Sequence, residues 1–279
     1  MDKRRMCANC RAFVTVDDKV CPYCDVPLQA RAVDRRNPSD ILGIPAHRFT
    51  TTVLLLINAG LYVGTTMYSM NATGQGGFLD IDGQTLVLFG AKYPPLIQAG
   101  QWWRLLTAGF LHGGILHILM NSWVIFDLGA QAEEFYGTPR YLVLYFLSTI
   151  GGFGASLWWS PSLSVGASAP LFGLMGAMLA LGVKNRHTAL GSAMRSHYTQ
   201  WAIWGLAMGL MTGMRIDNAA HIGGLATGFA FAWIAGTPRL VESWADRVWK
   251  VAAAICVVIT IAAFGLMVQF LLSVQRGSE

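Results

Sequence analysis

Long apolar runs separated by short polar stretches make up most of the chain after residue 50. Seven of these runs are long enough to be considered as helices, at about 50–70, 112–132, 140–159, 168–183, 198–214, 218–236 and 248–273. A helix that crosses the hydrocarbon core of a bilayer needs roughly 20 apolar residues, so the fourth and fifth runs are short for a full span. The pattern predicts an all-α polytopic membrane protein.

Small residues recur at every fourth position in two of the predicted helices. They are Ala169, Gly173 and Ala177 in the fourth helix, and Ala220, Gly224, Gly228, Ala232 and Gly236 in the sixth. Such ridges allow two helix backbones to approach closely within a bilayer. Ser168 precedes one ridge and His221 follows the start of the other, so we expect their side chains to meet. A serine hydroxyl becomes a nucleophile when a neighbouring base takes its proton, and we predict a Ser168–His221 catalytic dyad.

Composition and charge support a membrane protein and argue against a nucleic-acid-binding one. Apolar residues make up 54% of the chain and charged residues only 13%, a balance typical of polytopic membrane proteins. If the N-terminus is cytoplasmic, only Lys92, Arg104, Arg215 and Arg276 of the 20 Lys and Arg residues lie on the outer side. This bias sets orientation in the membrane, so the net charge of +5 reflects topology. Seven spans then place the C-terminus outside, and we expect a bacterial inner membrane.

Two CxxC pairs lie within residues 1–28, Cys7 with Cys10 and Cys21 with Cys24. This spacing is typical of a zinc ribbon with a short central loop. In a reducing cytoplasm four thiolates suit a tetrahedral zinc ion better than disulfides, although a redox pair or two disulfides is the alternative. We predict a structural zinc ribbon whose metal supplies the folding energy that so small a core lacks. The ribbon is also a candidate docking site for a cytoplasmic partner.

Residues 29–49 form a charged, proline-containing linker between the ribbon and the first helix. We expect Arg35, Arg36 and Arg48 to lie near anionic lipid headgroups. The first fifty residues lack the apolar run of a cleavable signal peptide. The first helix is therefore expected to act as its own insertion signal.

The second predicted helix carries polar residues at membrane depth. His117 and Asn121 lie four positions apart, on one helical face. Polar groups within a bilayer are costly and generally have a function, although the alternative is that both are hydrogen-bond partners between helices. This helix enters from the outer side, so both residues are expected at the depth of Ser168 and His221. His112 is expected to be structural.

The fourth predicted helix is too short to reach the outer membrane surface. At 16 residues it covers about 24 Å of a hydrocarbon core of about 30 Å. Irregular backbone at that depth is stable only where protein or a water-filled cavity satisfies it. We therefore expect Ser168 at the floor of a cavity that water can enter.

No acidic residue is assigned to orient His221. Asp217 belongs to the aqueous mouth, and Asp127 lies two turns deeper than Asn121. Two histidines of the predicted inner loop, His187 and His197, are assigned no catalytic role. The outer loop after the first helix contains an interfacial cluster, Gln101–Arg104, which favours the headgroup region.

Taken together, four sequence motifs resemble those of the rhomboid intramembrane serine proteases. They are Gln101–Arg104, His112 through Asn121, Gly166–Ser168, and Ala220–Gly224 with Gly228. The resemblance covers about residues 50–236 and implies a six-helix core, with the ribbon and a seventh helix, within 237–279, as additions. It implies that Ser168 is the nucleophile and His221 the general base in the cleavage of transmembrane substrates. His117, Asn121 and the Ser168 backbone N–H are then the implied oxyanion hole.

Two positions depart from the usual pattern of that family. Ala169 stands where glycine usually follows the serine, and Phe172 stands where a tyrosine often packs on the histidine ring. Alanine is still small enough for the ridge, so we expect activity to survive. Phe172 keeps the ring and loses the hydroxyl.

Two other functions are weighed against the protease. A rhomboid-like pseudoprotease, which binds membrane helices without cleavage, is typically marked by loss of the serine or the histidine, and neither is lost here. A transporter with a His/Asn proton path is disfavoured because the other helices lack embedded carboxylates and no inverted repeat is clear.

Overall fold

The computed structural model describes residues 4–7, 9–10, 12–15, 18–27, 48–74, 76–211, 216–237 and 244–276. The chain divides into two compact units, Met1–Ala46 and His47–Glu279. The predicted linker over 29–49 lies outside the described residues up to position 47, and Arg35 and Arg36 lie there with it.

The described part of the N-terminal unit is a small two-stranded sheet with two cysteine-containing turns. Strand β1 (Arg4–Met6) pairs antiparallel with β2 (Phe13–Thr15). Cys7, Val14 and Cys21 are buried together beside the sheet and form its small core.

The described residues of the second unit form helices and the loops that connect them. Its long helices are α1 (Phe49–Tyr68), α5 (Ile115–Val124), α6 (Ala130–Trp159), α7 (Ser168–Lys184), α8 (Ala189–Met208), α9 (Asn218–Ala235) and α10 (Trp244–Arg276). Three short helices, α2 (Gly83–Leu88), α3 (Pro94–Gln98) and α4 (Arg104–Thr107), lie in the loop between α1 and α5. The all-α prediction is confirmed for this unit.

A π-helical turn, Ile125–Gly129, joins α5 directly to α6, and a break then divides α6. Gly137 has φ 70° and ψ 153°, a backbone conformation that side chains other than glycine rarely adopt. Pro139 follows at the start of the next helical stretch, where a missing N–H is tolerated. The two stretches on either side of Gly137 correspond to the second and third predicted helices.

Three helical stretches of the described chain have the length and apolar character to cross a bilayer. They are Phe49–Asn71, Ile115–Trp159 with its internal break, and Trp244–Arg276; α7 is apolar but shorter. The chain is therefore an integral membrane protein, as its composition predicts.

The prediction for the fifth helix was wrong at both ends. It was placed at 198–214, but α8 runs over Ala189–Met208 and Thr188 caps it by accepting a hydrogen bond from the Gly191 N–H at 3.0 Å. Met194, Tyr198 and Ala202 are buried at four-residue intervals, so the apolar face begins a full turn earlier than the continuous apolar run suggests. His197 consequently lies in a helix and not in the inner loop.

Helix α7 lies at the centre of the second unit. Twelve of its 17 residues are buried, on all sides of the helix. A helix that is apolar all round belongs in a core. Its neighbours α6, α8 and α9 all pack on it, so the position of its first residue, Ser168, is fixed by surrounding protein.

The start of α1 is held by a buried carboxylate. Glu133 accepts hydrogen bonds from the backbone N–H groups of Thr50 and Thr51 at 3.1 and 2.9 Å, and from the hydroxyls of Thr51 and Thr138. The first N–H groups of a helix have no partner within the helix, and its positive dipole end favours an anion. Glu133 therefore ties α1 to α6.

Replacing this carboxylate tests its structural role. We expect Glu133→Gln to lower the free energy of unfolding by about 2–4 kcal/mol. The reason is that the NH₂ group of glutamine cannot accept hydrogen bonds from the buried N–H and O–H groups that the carboxylate binds. Thermal unfolding in detergent micelles measures the change. Glu134→Gln is the matched control, since Glu134 is the exposed neighbour; equal stability of the two variants would contradict the role.

Candidate active site

The backbones of α7 and α9 touch along their small residues. A Cβ added to Gly224 would overlap the carbonyl oxygen of Ala169, and one added to Gly228 would overlap that of Gly173. Nothing larger than glycine fits at these two positions without separating the helices. The predicted close approach of the two ridges is therefore present.

Helix α6 closes the third side of this contact. A Cβ added to Gly152 would lie 2.8 Å from both the Ala169 Cβ and the Ala220 carbonyl oxygen. Ala169 and Ala220 are both buried. The N-terminal ends of α7 and α9, which carry Ser168 and His221, are thus held side by side against α6.

The His221 ring is positioned by an aromatic residue of α7. Phe172 stacks on it with ring centroids 4.0 Å apart and planes 12° from parallel. Gly205 of α8 approaches the Phe172 ring, since a Cβ there would lie 2.6 Å from Cζ. Ser168 precedes Phe172 by one turn and so lies on the same face of α7.

The two residues of the predicted dyad therefore lie on facing surfaces but are not joined directly. Within the described chain, no hydrogen bond links the Ser168 hydroxyl to His221, and His221 Nδ1 has no hydrogen-bond partner. Catalytic hydrogen bonds are often long or poorly aligned without substrate. The Ser168–His221 contact stays a prediction.

His117 reaches the same place from α5. His117 Nε2 and Ser168 Oγ lie 2.6 and 3.5 Å, respectively, from the point where a Gly166 Cβ would be. Gly166 has φ 135°, so glycine suits both its backbone conformation and the close approach of the ring. The Gly113 N–H donates to His117 Nδ1 at 3.5 Å, which assigns the proton of the neutral ring to Nε2. A hydrogen-bond donor thus lies beside Ser168.

Asn121 follows His117 by one helical turn and is buried. Its Nδ2 has no hydrogen-bond partner, so a second donor is available on the same face of α5. His112 packs edge-on against His117, with ring centroids 5.1 Å apart, and both of its nitrogens are buried without a partner. The structural role of His112 stays a prediction.

Asp217 fixes the start of α9 and does not orient the His221 ring. Its carboxylate accepts from the Ala220 N–H at 3.1 Å and from the Ser156 hydroxyl. Both contacts define where α9 begins relative to α6. Sequence reasoning placed Asp217 in the aqueous mouth and missed this cap, although an aspartate directly before an apolar helix is its usual signal.

The loop that leads into Ser168 is tied to the loop between α1 and α5 by a buried lysine. Lys92 Nζ donates to the carbonyl oxygens of Ser160 and Ser162 at 2.5 and 2.9 Å. The backbones of Lys92 and Ser164 also exchange two hydrogen bonds of 3.0 Å. Burial lowers the pKa of Lys92. Lys92 was predicted to be a charge on the outer side, and no local signal in the sequence marks this role.

Arg104 is an interior residue whose side chain is fully buried in the protein. Its Nη1 donates to the carbonyl oxygens of Val87 and Ala91, at 2.6 and 3.2 Å. The guanidinium lies 4.6 Å from the Trp103 ring centroid and 4.9 Å from that of Phe270 on α10. Burial lowers the pKa of Arg104 to about 10. Carbonyl oxygens and aromatic faces replace water around the charge.

The four cysteines of the N-terminal unit form a candidate metal centre. The Sγ atoms of Cys7, Cys10, Cys21 and Cys24 all lie within 4.8 Å of one another. Two of these Sγ–Sγ distances are 3.8 Å (Cys7–Cys24) and 3.6 Å (Cys10–Cys21). A tetrahedral zinc ion with Zn–S bonds of about 2.3 Å separates its sulfur ligands by about 3.8 Å. The donor set therefore fits zinc.

All four cysteines are free in the structure, and their pKa values are shifted in different directions. A hydrogen bond with the Ala12 backbone lowers the pKa of Cys10, but burial and hydrogen bonds with the other three cysteines raise it to about 12. Hydrogen bonds from the Val26 backbone and then from the Asn9 side chain lower the pKa of Cys24 to about 6. A lowered pKa favours the thiolate, which is the form that binds metal.

Comparison with known proteins identifies the class to which this fold and site belong. A family model of the Rhomboid domain matches residues 99–238, half of the chain. The chain belongs to the rhomboid family. The matched segment includes His117, Asn121, Ser168 and His221.

Curated relatives include named proteases from distant organisms. Rhomboid protease GluP of Bacillus subtilis (strain 168) is 37% identical over 183 residues, which cover 66% of this chain and 36% of the relative. RHOMBOID-like protein 6, mitochondrial, of Arabidopsis thaliana is 37% identical over 60% of this chain and 55% of its own length. Rhomboid-like protease 2 of Toxoplasma gondii is 34% identical over 59% of each. The chain thus spans roughly a third to three fifths of these relatives.

Metal analysis tests the candidate zinc centre. We expect about one zinc ion per purified chain, and loss of that zinc in Cys21→Ser, because a three-sulfur site binds zinc more weakly than a closed four-sulfur site. Cys256→Ser is the matched control, since Cys256 lies in α10 and far along the sequence from the other cysteines. Zinc-free protein whose thiols titrate as two disulfides would contradict the assignment.

Proposed function

We propose that this protein is an intramembrane serine endopeptidase that cleaves transmembrane proteins near the outer membrane face. Ser168 is the nucleophile and His221 the general base. The observation that carries the proposal is the stacking of Phe172, one turn after Ser168, on the His221 ring at 4.0 Å. Family membership and the protease names of several relatives support it.

The reaction is an acyl transfer in two steps. His221 takes the proton from Ser168 Oγ, and the oxygen attacks the carbonyl carbon of the scissile peptide bond. His221 then returns the proton to the leaving amine, the C–N bond breaks, and an acyl-enzyme forms. Water, deprotonated by His221, attacks this ester and regenerates the Ser168 hydroxyl.

His117, Asn121 and the Ser168 backbone N–H form the proposed oxyanion hole. The Nε2 proton assigned to His117 and the unpartnered Asn121 Nδ2 are donors on one face of α5. Donors that are already in position stabilise the negative oxygen of a tetrahedral intermediate without reorganisation.

The proposed orientation places the N-terminus in the cytoplasm of a bacterial cell and the C-terminus outside. The distribution of Lys and Arg supports it, with most of these residues on the inner side. A substrate helix must unwind to expose its peptide carbonyl, which favours substrates with small or helix-breaking residues near the outer face. The zinc ribbon is then cytoplasmic and available to a partner there.

One observation favours a second function, binding of membrane helices without cleavage. Ser168 and His221 are not hydrogen-bonded to each other in the described chain. A pseudoprotease of this kind has no need for that bond, so covalent labelling of Ser168 separates the two functions.

A serine-directed fluorophosphonate probe tests the nucleophile. We expect the probe to label the wild-type protein and a Ser162→Ala control, and to fail on Ser168→Ala, because only a base-activated serine reacts readily. Ser162 is an exposed serine of the preceding loop whose side chain makes none of the contacts described. Cleavage of a model transmembrane substrate by Ser168→Ala at the wild-type rate would defeat the proposal.

Kinetics of Asn121→Ala test the oxyanion hole. We expect kcat to fall about 10²–10³-fold with little change in KM, since the lost donor acts mainly on the transition state. Leu119→Ala serves as the control because Leu119 is an exposed residue on the same helix. If Asn121→Ala and Leu119→Ala cleave equally fast, Asn121 has no part in catalysis.

A further inference from the structure

A groove lies between α5 and α8, and its lining includes Met175 of α7, two helical turns after Ser168. Its lining also includes Trp123, Asp127, His197, Tyr198 and Trp201. Building on the function proposed above, we infer that this groove binds a Lys or Arg side chain of the transmembrane substrate.

Asp127 gives the groove its charge. It is the only carboxylate of the lining, its side chain is exposed, and it forms no hydrogen bond or ion pair with any residue that the structure describes. The neighbouring Tyr198 hydroxyl donates to Gln131 at 2.8 Å and is therefore engaged elsewhere. A cation bound beside such a carboxylate stabilises its charge.

The backbone around Asp127 is irregular in a way that is common at functional sites. Asp127 lies in the π-helical turn Ile125–Gly129. Turns of this kind appear mostly as single interruptions of an α-helix, frequently where a ligand binds. From the sequence, Asp127 was interpreted only as a residue too deep to orient His221.

Aromatic rings complete the complementarity to a cation. Trp123 of α5 and Trp201 of α8 meet edge to face, with centroids 6.4 Å apart, and His197 lies 5.8 Å from Trp201. The face of a tryptophan ring attracts ammonium and guanidinium groups. An anion would be repelled by Asp127, and an apolar group would leave its charge unpaired.

The depth of the groove indicates which cation can reach it. Asp127 follows His117 by ten positions along one helical segment, roughly 15 Å at 1.5 Å per residue. The Arg48 guanidinium, at the start of α1, lies 5.6 Å from the ring of Phe126, the residue before Asp127. A cationic side chain of this protein therefore lies at about the same depth as Asp127. Spanning helices carry Lys and Arg at their inner ends. A substrate cleaved at Ser168 therefore presents such a residue about eight to ten positions beyond its scissile bond.

A lysine scan along a model substrate tests this inference. The substrate has its N-terminus on the Ser168 side, and one lysine or glutamine is placed at successive positions after the scissile bond. We expect kcat/KM to be roughly tenfold higher for lysine than for glutamine about eight to ten positions on. Asp127→Asn should remove this preference, while Asp127→Lys should prefer glutamate there. Glu134→Gln, which changes an exposed carboxylate outside the groove, should behave as wild type.

The possible results separate this inference from the function it builds on. Wild-type cleavage without a lysine preference, or a preference that survives Asp127→Asn, overturns the inference and leaves the protease intact. A change in kcat/KM in Asp127→Asn that is equal for all substrates, and that is seen only in vesicles containing phosphatidylethanolamine, also overturns the inference. The groove then binds the amine of the lipid. If wild type cleaves nothing, photocrosslinking of the lysine substrate to Ser168→Ala still decides: a yield lowered by Asp127→Asn supports the groove, and an unchanged yield rejects it.

Discussion

The direct backbone contact between α7 and α9 is the constraint on which the candidate site depends. Gly224 and Gly228 leave no room for a side chain against the carbonyl oxygens of Ala169 and Gly173. In a bilayer, helices gain little from excluding lipid, so close packing of this kind supplies much of their association. It also brings the first turns of both helices to one place, and those turns carry Ser168 and His221.

A second set of interactions holds the irregular chain around these helix ends. Lys92 bonds to the loop before Ser168, and Arg104 bonds to the carbonyl oxygens of Val87 and Ala91, next to Lys92. Phe270 of α10 covers the Arg104 guanidinium. The loop between α1 and α5, helix α10 and the segment that ends at Ser168 are thus parts of one packed structure, in which buried cations satisfy backbone that water cannot reach.

The features predictable from sequence were those with a local signal. Apolar run length located most of the helices, four-residue spacing located the α7–α9 contact, and paired CxxC motifs located the cysteine cluster. The start of α8 was missed because its early turns alternate buried Met194 with exposed polar residues, so no continuous apolar run marks it. The buried state of Lys92 and Arg104 could not be predicted, because the carbonyl groups that receive them are distant in sequence. For the same reason the α8 residues around Asp127 could not be predicted, because they are distant from it in sequence.

The most direct test of the central constraint is the rate at which a fluorophosphonate labels Ser168 in Gly228→Ala. A Cβ at Gly228 overlaps the Gly173 carbonyl oxygen, whereas Gly265 of α10 has nothing within 4 Å and serves as the control. Overpacking of a tight contact costs about 1–3 kcal/mol, so we expect labelling to slow roughly tenfold or more in Gly228→Ala and to be unchanged in Gly265→Ala. Labelling of Gly228→Ala at the wild-type rate would contradict the dependence of the site on this contact.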